Sequence, residues 1–370
     1  MPNPTGTAAA GEVGLMREPP SLADDTITTA LQASFGIPVA GLVFLPVGND
    51  AASWAYRVQV AQGLGYFLKV RAGASSIRGA TVPSYLHRHG VPNVLAPLVT
   101  SAGAPYVVVD GFAWALYPML EGRVGAEVGL SPAQWRQLGA AVRKVHAVPP
   151  TPRLTRLVER EAFRPSRREL LGGLEGLLAD AAGDPVVGEL AGFWRARQDV
   201  IGGLVRRTDA LGRQLARASF PMVLCHADLH TWNVLVDADG QPWILDWDEA
   251  ILAPKERDLM FVVGGIGHGL VRPGDTDEFF QGYGQASIDP GLLAYYRCAW
   301  AVQDIAAYGE QALMAPGLGA ASRRAAWRAS WICSRPATSS TWRRCRRPAA
   351  RLVPEAVARC REGVARAPGV

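Results

Sequence analysis

Two short segments of the chain place carboxylates and an amide at a spacing suited to phosphoryl transfer. Residues 226–233 contain Asp228 and Asn233, and residues 244–248 contain Asp246. Phosphoryl transfer needs a carboxylate that takes the proton of the acceptor hydroxyl and oxygen ligands that hold Mg2+ against the phosphates. Asp228 has the chemistry of the first, and Asn233 and Asp246 have the chemistry of the second. The two segments therefore predict a magnesium-dependent site with Asp228 as catalytic base.

The elements that must position these residues change character near Pro118. Before it, short apolar runs with partial alternation are typical of β-strands. The predicted strands are residues 42–47, 54–60, 65–70, 106–109 and 112–117. One helix is predicted from Pro83 to Gly90, because Pro is favoured in a first helical turn. This part of the chain is expected to form a small antiparallel sheet with a helix.

Beyond Pro118 the pattern is mainly helical. Ser131-Pro132 opens a helix that ends at Pro149, and residues 159–181 and 185–218 are predicted as further helices. Short apolar runs flank the polar segments at residues 222–224, 234–236 and 243–245, with a hairpin turn at 237–240. The predicted organisation is a disordered leader (1–20), an N-terminal nucleotide-binding lobe (21–117), a hinge (118–122), a C-terminal catalytic and acceptor-binding lobe (123–320) and a tail (321–370).

The order His-x-Asp-x-x-x-x-Asn, followed by a hairpin and an Asp, is similar to the catalytic and metal loops of protein kinases. The detailed form, His-Ala-Asp-Leu-His-x-x-Asn and then Leu-Asp-Trp-Asp, resembles the aminoglycoside phosphotransferase family. Three further segments resemble its spectinomycin phosphotransferase branch: 117–122, 253–261 and 308–310. The resemblance implies an α+β, bilobal protein-kinase-like fold with ATP and Mg2+ in the cleft.

The resemblance also implies roles for single residues. Asp228 matches the catalytic base, Asn233 and Asp246 match the metal ligands, and Lys69 matches the strand lysine that contacts the α- and β-phosphates. The other nucleotide contacts it implies are Gly48, Asn49, Asp50 and Ser53 in the turn over the phosphates, and Met119 and Leu120 in the hinge.

One feature departs from the family pattern. Kinases pair the strand lysine with a Glu of the following helix, but residues 71–109 contain no acidic residue. Either Asp246 or the phosphates neutralise Lys69, or the match of Lys69 is wrong and it is a solvated lysine at a strand edge.

Several polar residues near the motif have two interpretations. Asp248 and Glu249 are candidates to bind a substrate ammonium group or to orient their loop. His226 is expected to be structural, packing and hydrogen-bonding within the loop. A metal cluster of His226, His230 and Asp228 is the alternative, although the sequence supplies no third His or Cys at a suitable spacing.

The composition restricts the class of protein. The chain has 370 residues, of which 49% are hydrophobic and 19% charged, and it has no apolar run long enough to span a membrane. Five Cys without regular spacing favour a reducing, cytoplasmic location. Residues 1–320 carry 26 basic and 31 acidic residues, a charge of −5, which favours a cationic small molecule over nucleic acid.

Residues 321–370 differ from the rest of the chain. They carry twelve Arg and only two Glu, together with three of the eleven Trp and three of the five Cys. One interpretation is a disordered basic tail. The other is a reading-frame shift in GC-rich coding DNA, because a shifted reading of residues 331–342 gives a plausible helical sequence.

These observations predict transfer of the γ-phosphoryl group of ATP to a hydroxyl of a small cationic acceptor. By resemblance, the acceptor is an aminoglycoside or aminocyclitol antibiotic such as spectinomycin, and the outcome is antibiotic resistance. A metabolic kinase of the same fold, acting on choline, homoserine or an amino sugar, is one alternative. A catalytically dead kinase-like binding protein is another, which the three motif residues oppose and the missing helix Glu favours.

Overall fold

A computed structural model describes residues 19–20, 22–46, 52–63, 65–73, 78–165, 168–180, 184–263 and 270–314. Most of the predicted leader, the turn residues Gly48, Asn49 and Asp50, and the tail 321–370 lie outside these ranges. The described strands are β1 (Gly41–Leu45), β2 (Ser53–Gln59), β3 (Tyr66–Ala72), β4 (Val107–Val109), β5 (Phe112–Pro118), β6 (Gly122–Val124), β7 (Glu159–Arg160), β8 (Val223–Cys225), β9 (Val234–Asp237), β10 (Pro242–Ile244) and β11 (Ile251–Ala253).

The described helices are α1 (Asp24–Phe35), α2 (Arg78–Arg88), α3 (Gly125–Val128), α4 (Pro132–His146), α5 (Leu154–Leu157), α6 (Arg168–Asp180), α7 (Pro185–Arg195), α8 (Gln198–Leu215), α9 (Glu256–Leu259), α10 (Asp275–Tyr283) and α11 (Pro290–Met314). A 3-10 turn covers Thr231–Asn233. Within the described ranges, none of the helices combines the length and apolar character needed to cross a bilayer.

The five predicted N-terminal strands form one antiparallel sheet in the order β1-β2-β3-β5-β4. In the central strand β3, Leu68 and Val70 are fully buried against α1 residues such as Leu31. Lys69 alternates with them and lies on the opposite face, as does Arg71 two residues later. Strand β3 therefore presents two cations on the face that does not pack against α1.

Helix α2 begins earlier than predicted, at Arg78, so that Pro83 lies inside it. A proline has no N–H for the carbonyl four residues earlier, which here is that of Gly79. The hydroxyl of Tyr117 donates to this carbonyl at 2.8 Å. A side chain from the sheet thus supplies the missing donor, and the prediction that Pro83 starts the helix was wrong.

The start of helix α4 was predicted correctly. Ser131 accepts the N–H of Gln134, and the Gln134 side chain accepts the N–H of Ser131, which makes a complete capping box at the start of α4. Helix α4 packs closely along α10 in the large apolar core.

The two helices predicted for residues 159–181 and 185–218 were too long. Residues 159–160 form strand β7 beside β11, and the described helix α6 begins at Arg168. The predicted helix also contained Pro165, which lacks the N–H that a residue in a helix interior donates. The segment 185–218 is two helices with a break at Arg197. The break lets Trp194 and Ile201, on either side of it, enter one apolar cluster with α11.

Removing the Tyr117 hydroxyl should expose the defect that Pro83 creates. We expect Tyr117→Phe to lower the free energy of unfolding by about 1–3 kcal/mol, because the buried Gly79 carbonyl loses its donor. Pro83→Ala restores a backbone N–H, so the cost of Tyr117→Phe should be smaller in the P83A background. Urea unfolding of the four proteins measures this coupling; additive effects would contradict the assignment.

Candidate active site

The hairpin of β9 and β10 carries the predicted metal ligands at its open end. Val234 pairs with Ile244, and the N–H of Leu245 continues the ladder to the carbonyl of Asn233 at 2.9 Å. Asp246 comes next, with a φ of 57°. This left-handed conformation, which Asp tolerates better than most residues, ends the strand and turns the chain away. Asn233 and Asp246 are therefore neighbours because of the hairpin register.

His226 holds the loop that leads into this hairpin. Its side chain is buried, with its ring 4.7 Å from that of Trp247. Its Nδ1 accepts the N–H of Asp228 at 3.2 Å, so its Nε2 carries the proton and donates to the carbonyl of Leu245 at 2.7 Å. The expectation of a structural role for His226 is confirmed.

Asp258 fixes the backbone of the same loop. Its two oxygens accept the N–H groups of His226 at 2.9 Å and Ala227 at 2.7 Å, and Ala227 has an unusual φ of 70°. His146 lies 3.0 Å from the same carboxylate. Burial by itself raises the pKa of Asp258, but the bonds from His146 and the amides lower it overall. An ionised, buried carboxylate thus holds the loop in a conformation that non-glycine residues rarely adopt.

Asp228 lies at the tip of this loop with partners on two sides. The Nδ2 of Asn233 lies 3.1 Å from its Oδ2, and the Nε2 of His230 lies 3.4 Å from the same oxygen. The ring of His230 meets that of Phe261 edge-on at 5.9 Å, and Phe261 in turn meets Trp300 of α11 at 6.0 Å. The Asp228 side chain remains 32% exposed, so it can still reach a bound molecule.

The charges of Asp228 and His230 stabilise each other. Burial raises the pKa of Asp228, but the neighbouring His230 outweighs it and lowers that pKa to about 2. For His230, burial lowers the pKa while Asp228 and the carboxylate of Asp304 raise it, and the net shift is upward. Asp228 is consequently an anion at every physiological pH and can accept a hydrogen bond from a hydroxyl.

Lys69 crosses from the sheet to the hairpin. Its Nζ lies 3.0 Å from Asp246 and 2.8 Å from Asp248, and Arg71 also bonds to Asp248 at 2.8 Å. Burial lowers the pKa of Lys69, but the two carboxylates raise it overall. Of the sequence-based alternatives, neutralisation by Asp246 is confirmed in this structure, and Asp248 is a second partner that the sequence did not reveal.

Asp246 has the properties of a metal ligand that is also paired with Lys69. Half of its side chain is exposed, and Lys69 lowers its pKa against the effect of burial. Asn233 directs its nitrogen at Asp228, which leaves its side-chain oxygen as the ligand atom. Carboxylate and amide oxygens are hard donors, so this pair fits Mg2+.

The other predicted site residues in the described ranges are Ser53, Met119, Leu120 and Glu249. Ser53 is buried at the start of β2, opposite Arg71, rather than in the turn. In the hinge, the N–H of Met119 donates to the carbonyl of Gly65 at 3.3 Å, and Leu120 is half-buried. Recognition of adenine by Met119 and Leu120 stays a proposal. Glu249 is exposed beside Asp248.

The metal cluster considered for His226, His230 and Asp228 is not favoured, because His226 is committed to loop hydrogen bonds. Among the described residues, the group with metal-ligand chemistry within 4.8 Å of one another is His146, Cys225 and Asp258. Sequence reasoning did not single out Asp258. The available signal was an acidic residue inside the apolar context of residues 258–263, where an unpaired carboxylate would be costly.

Replacing Asp228 by Asn should lower the pKa of His230, because the carboxylate that raises it is removed. A histidine with a raised folded pKa adds stability below its unfolded pKa of about 6.5, and this is lost as pH rises through the folded pKa. Wild type should therefore have the larger unfolding free energy near pH 6.5. Its advantage over D228N should decrease as pH rises from there through the folded pKa of His230. Imidazole NMR titration measures the pKa directly, with the exposed His87 as internal control; an unchanged His230 would contradict the pairing.

A family model described as the phosphotransferase enzyme family matches residues 43–299. The chain is similar to the crystal structure of spectinomycin phosphotransferase APH(9)-Ia in complex with ADP and spectinomycin. The sequence identity is 27% and the TM-score 0.74, with 92% of this chain and 99% of that chain covered. An AMP-bound complex of the same enzyme is 25% identical, with a TM-score of 0.72 over 87% of this chain and 97% of that one.

Amicoumacin kinase hAmiN, in complex with AMP-PNP, Ca2+ and Ami, is 18% identical, with a TM-score of 0.58 over 84% of this chain and 92% of that one. At this identity, the likeness supports the fold alone. No curated protein sequence matches the chain significantly. The predicted α+β, bilobal kinase-like fold is confirmed by these neighbours.

The matched region covers more than half of the chain and includes Lys69, Asp228, Asn233 and Asp246. These four residues converge in the structure, as the contacts of Lys69 with Asp246 and of Asn233 with Asp228 show. The protein is therefore an enzyme with the kinase-like fold and belongs to the phosphotransferase enzyme family.

Proposed function

We propose that the protein transfers the γ-phosphoryl group of ATP to a hydroxyl of a small cationic acceptor, an aminocyclitol antibiotic such as spectinomycin. The observation that carries this proposal is the convergence of Lys69 from the sheet with Asp246 from the hairpin, beside the loop that holds Asp228 and Asn233. These are the charges that phosphoryl transfer requires.

Asp228 is proposed as the group that orients the acceptor hydroxyl. Its pKa of about 2 makes it a weak base, which suits a loose transition state in which the hydroxyl proton is transferred late. Asn233 holds the Oδ2 of Asp228 through its Nδ2. The carboxylate is thus fixed in place before the acceptor arrives, and the entropic cost of orientation is reduced.

Asn233 and Asp246 are proposed to hold Mg2+. When bound, the ion neutralises the developing charge on the phosphates. Asp246 now lies 3.0 Å from Lys69, and both groups would contact the metal–nucleotide complex: the carboxylate through the metal, the ammonium through the α- and β-phosphates. Met119 and Leu120 are proposed to bind adenine, and Gly48, Asn49, Asp50 and Ser53 to cover the phosphates.

The acceptor is proposed to be cationic for two reasons. Residues 1–320 carry a net charge of −5, and the carboxylate of Asp304 lies close enough to raise the pKa of His230 in the catalytic loop. Trp300, one helical turn before Asp304 on α11, packs on Phe261 beside His230. The neighbouring enzyme with the highest TM-score reported above binds spectinomycin with ADP, which favours an aminocyclitol.

The test is a panel of acceptors incubated with ATP and Mg2+, read by release of ADP and by mass spectrometry of the acceptor. The panel contains spectinomycin, amicoumacin, 2-deoxystreptamine aminoglycosides, choline, homoserine and glucosamine. The proposal expects ADP release with spectinomycin and an acceptor mass increased by one phosphoryl group. Phosphorylation of choline or homoserine alone would replace the proposal with a metabolic kinase.

Replacing Asp228 by Asn should abolish most turnover while leaving affinity for Mg–ATP nearly unchanged. The amide cannot accept the hydroxyl proton, and a general base contributes about 10²–10⁴-fold to the rate. Steady-state kinetics with the acceptor from the panel measures the loss. The exposed Asp239→Asn serves as control; activity of D228N close to that of D239N would contradict the role of Asp228.

Replacing Asp246 by Ala should weaken Mg–ATP binding more than acceptor binding, because it removes an anionic ligand of the metal. Isothermal titration calorimetry with Mg–ADP and with acceptor separates the two affinities. The loss should be smaller when ADP is titrated without Mg2+. Equal affinities of D246A and wild type for Mg–ADP would exclude Asp246 as a ligand.

A further inference from the structure

We propose that Asp248 is a positioning residue that replaces the missing helix glutamate as the permanent partner of Lys69. This inference rests on the proposed function. The chain has no acidic residue between positions 71 and 109, so α2 cannot supply the carboxylate that holds the strand lysine in place. In the structure, Lys69 instead contacts a carboxylate from the segment after β10. This is Asp248, two residues after the proposed metal ligand Asp246.

Asp248 is better suited than Asp246 to hold Lys69 throughout the reaction. The side chain of Asp246 is 50% exposed, whereas that of Asp248 is 17% exposed and is the closer partner, at 2.8 Å. As a proposed metal ligand, Asp246 would contact Mg2+ as well as Lys69. The Oδ2 of Asp248 is already engaged by Lys69 and by Arg71, each at 2.8 Å. Its position is therefore maintained when Asp246 contacts the metal.

Helix α2 leaves room for this carboxylate. A Cβ on Gly79 would lie only 2.0 Å from the Oδ1 of Asp248, so the absence of a side chain at position 79 allows the contact. Tyr117 fixes the carbonyl of Gly79 at 2.8 Å, which keeps the helix start against the site. The carboxylate thus occupies the place to which a side chain of α2 at position 79 would point.

The sequence left two roles open for Asp248: binding a substrate ammonium group or orienting its loop. Its contacts argue against the first. A residue that binds a substrate ammonium group would keep its oxygens for the ligand, but Asp248 directs Oδ2 at two protein cations and Oδ1 at the start of α2. Lys69, held at 2.8 Å by Asp248, retains further N–H donors of its ammonium group for the phosphates.

The test moves the carboxylate from the loop to the helix in the full-length protein. The variants are D248N, D248A, G79D, G79D/D248A and G79N/D248A. Position 79 is not in the left-handed region, and D248A vacates the space, so a side chain can enter there. D209N is the matched control: Asp209 is 19% exposed and bonds an arginine at 2.8 Å, but it joins α6 to α8.

We expect D248N and D248A to lower kcat/KM for ATP and the affinity for Mg–ADP by about tenfold or more, as for loss of a group that orients a ligand-binding residue. The KM for the acceptor and the behaviour of D209N should be unchanged. G79D/D248A should recover most of the loss, whereas G79N/D248A, which fills the same space without charge, should not. G79D alone should be impaired, because two groups compete for one place.

Thermal unfolding of each variant separates positioning from loss of fold, and the isosteric D248N keeps the test valid if D248A is unstable. A change in D248N below about fivefold, which an ordinary partly exposed ion pair provides, overturns the inference. So does equal rescue by G79N/D248A and G79D/D248A. If D248N binds Mg–ADP as tightly as wild type does, this inference fails and the proposed function stands. If wild type binds no nucleotide, both the proposed function and this inference fail.

Discussion

The site depends on neutralising several carboxylates that lie close together. Asp246 and Asp248 lie within 3.0 Å of one ammonium group, that of Lys69, and Asp228 is paired with His230. Like charges at such distances repel strongly in a partly buried cleft. The cations of β3 therefore join the five-stranded sheet to the segment after the hairpin, because Lys69 and Arg71 neutralise these carboxylates.

Strain in the backbone is balanced by the same kind of interaction. Ala227 and Asp246 both have positive φ angles, and each such residue costs on the order of 1–3 kcal/mol. Asp258 offsets the first cost by accepting two backbone N–H groups, with His146 holding it in turn. Because these groups are buried and mutually satisfied, the loop is rigid where it presents Asp228. The apolar core around α4, α9 and α10 is thus connected to the candidate catalytic loop through one carboxylate, that of Asp258.

Helix α2 shows how a local defect serves the site. Pro83 deprives the Gly79 carbonyl of its helical donor, and Tyr117 supplies another. The arrangement binds the helix start to β5 and brings Gly79 against Asp248. A more regular helix with a side chain at position 79 would exclude that carboxylate. The unusual pairing of Lys69 therefore has a steric condition in α2 as well as an electrostatic one.

The sequence alone singled out Asp228, Asn233 and Asp246 as candidate site residues by their spacing. It predicted the five strands and the capped start of α4 as well, because local periodicity and capping residues encode them. It also showed that Lys69 lacked an acidic partner on the following helix. It did not reveal Asp248 or Asp258 as the groups that hold Lys69 and the loop, since both contacts join residues far apart in the chain. Such pairings carry no local pattern: they are decided by which surfaces the folded core brings together and by the cost of leaving a buried charge unpaired.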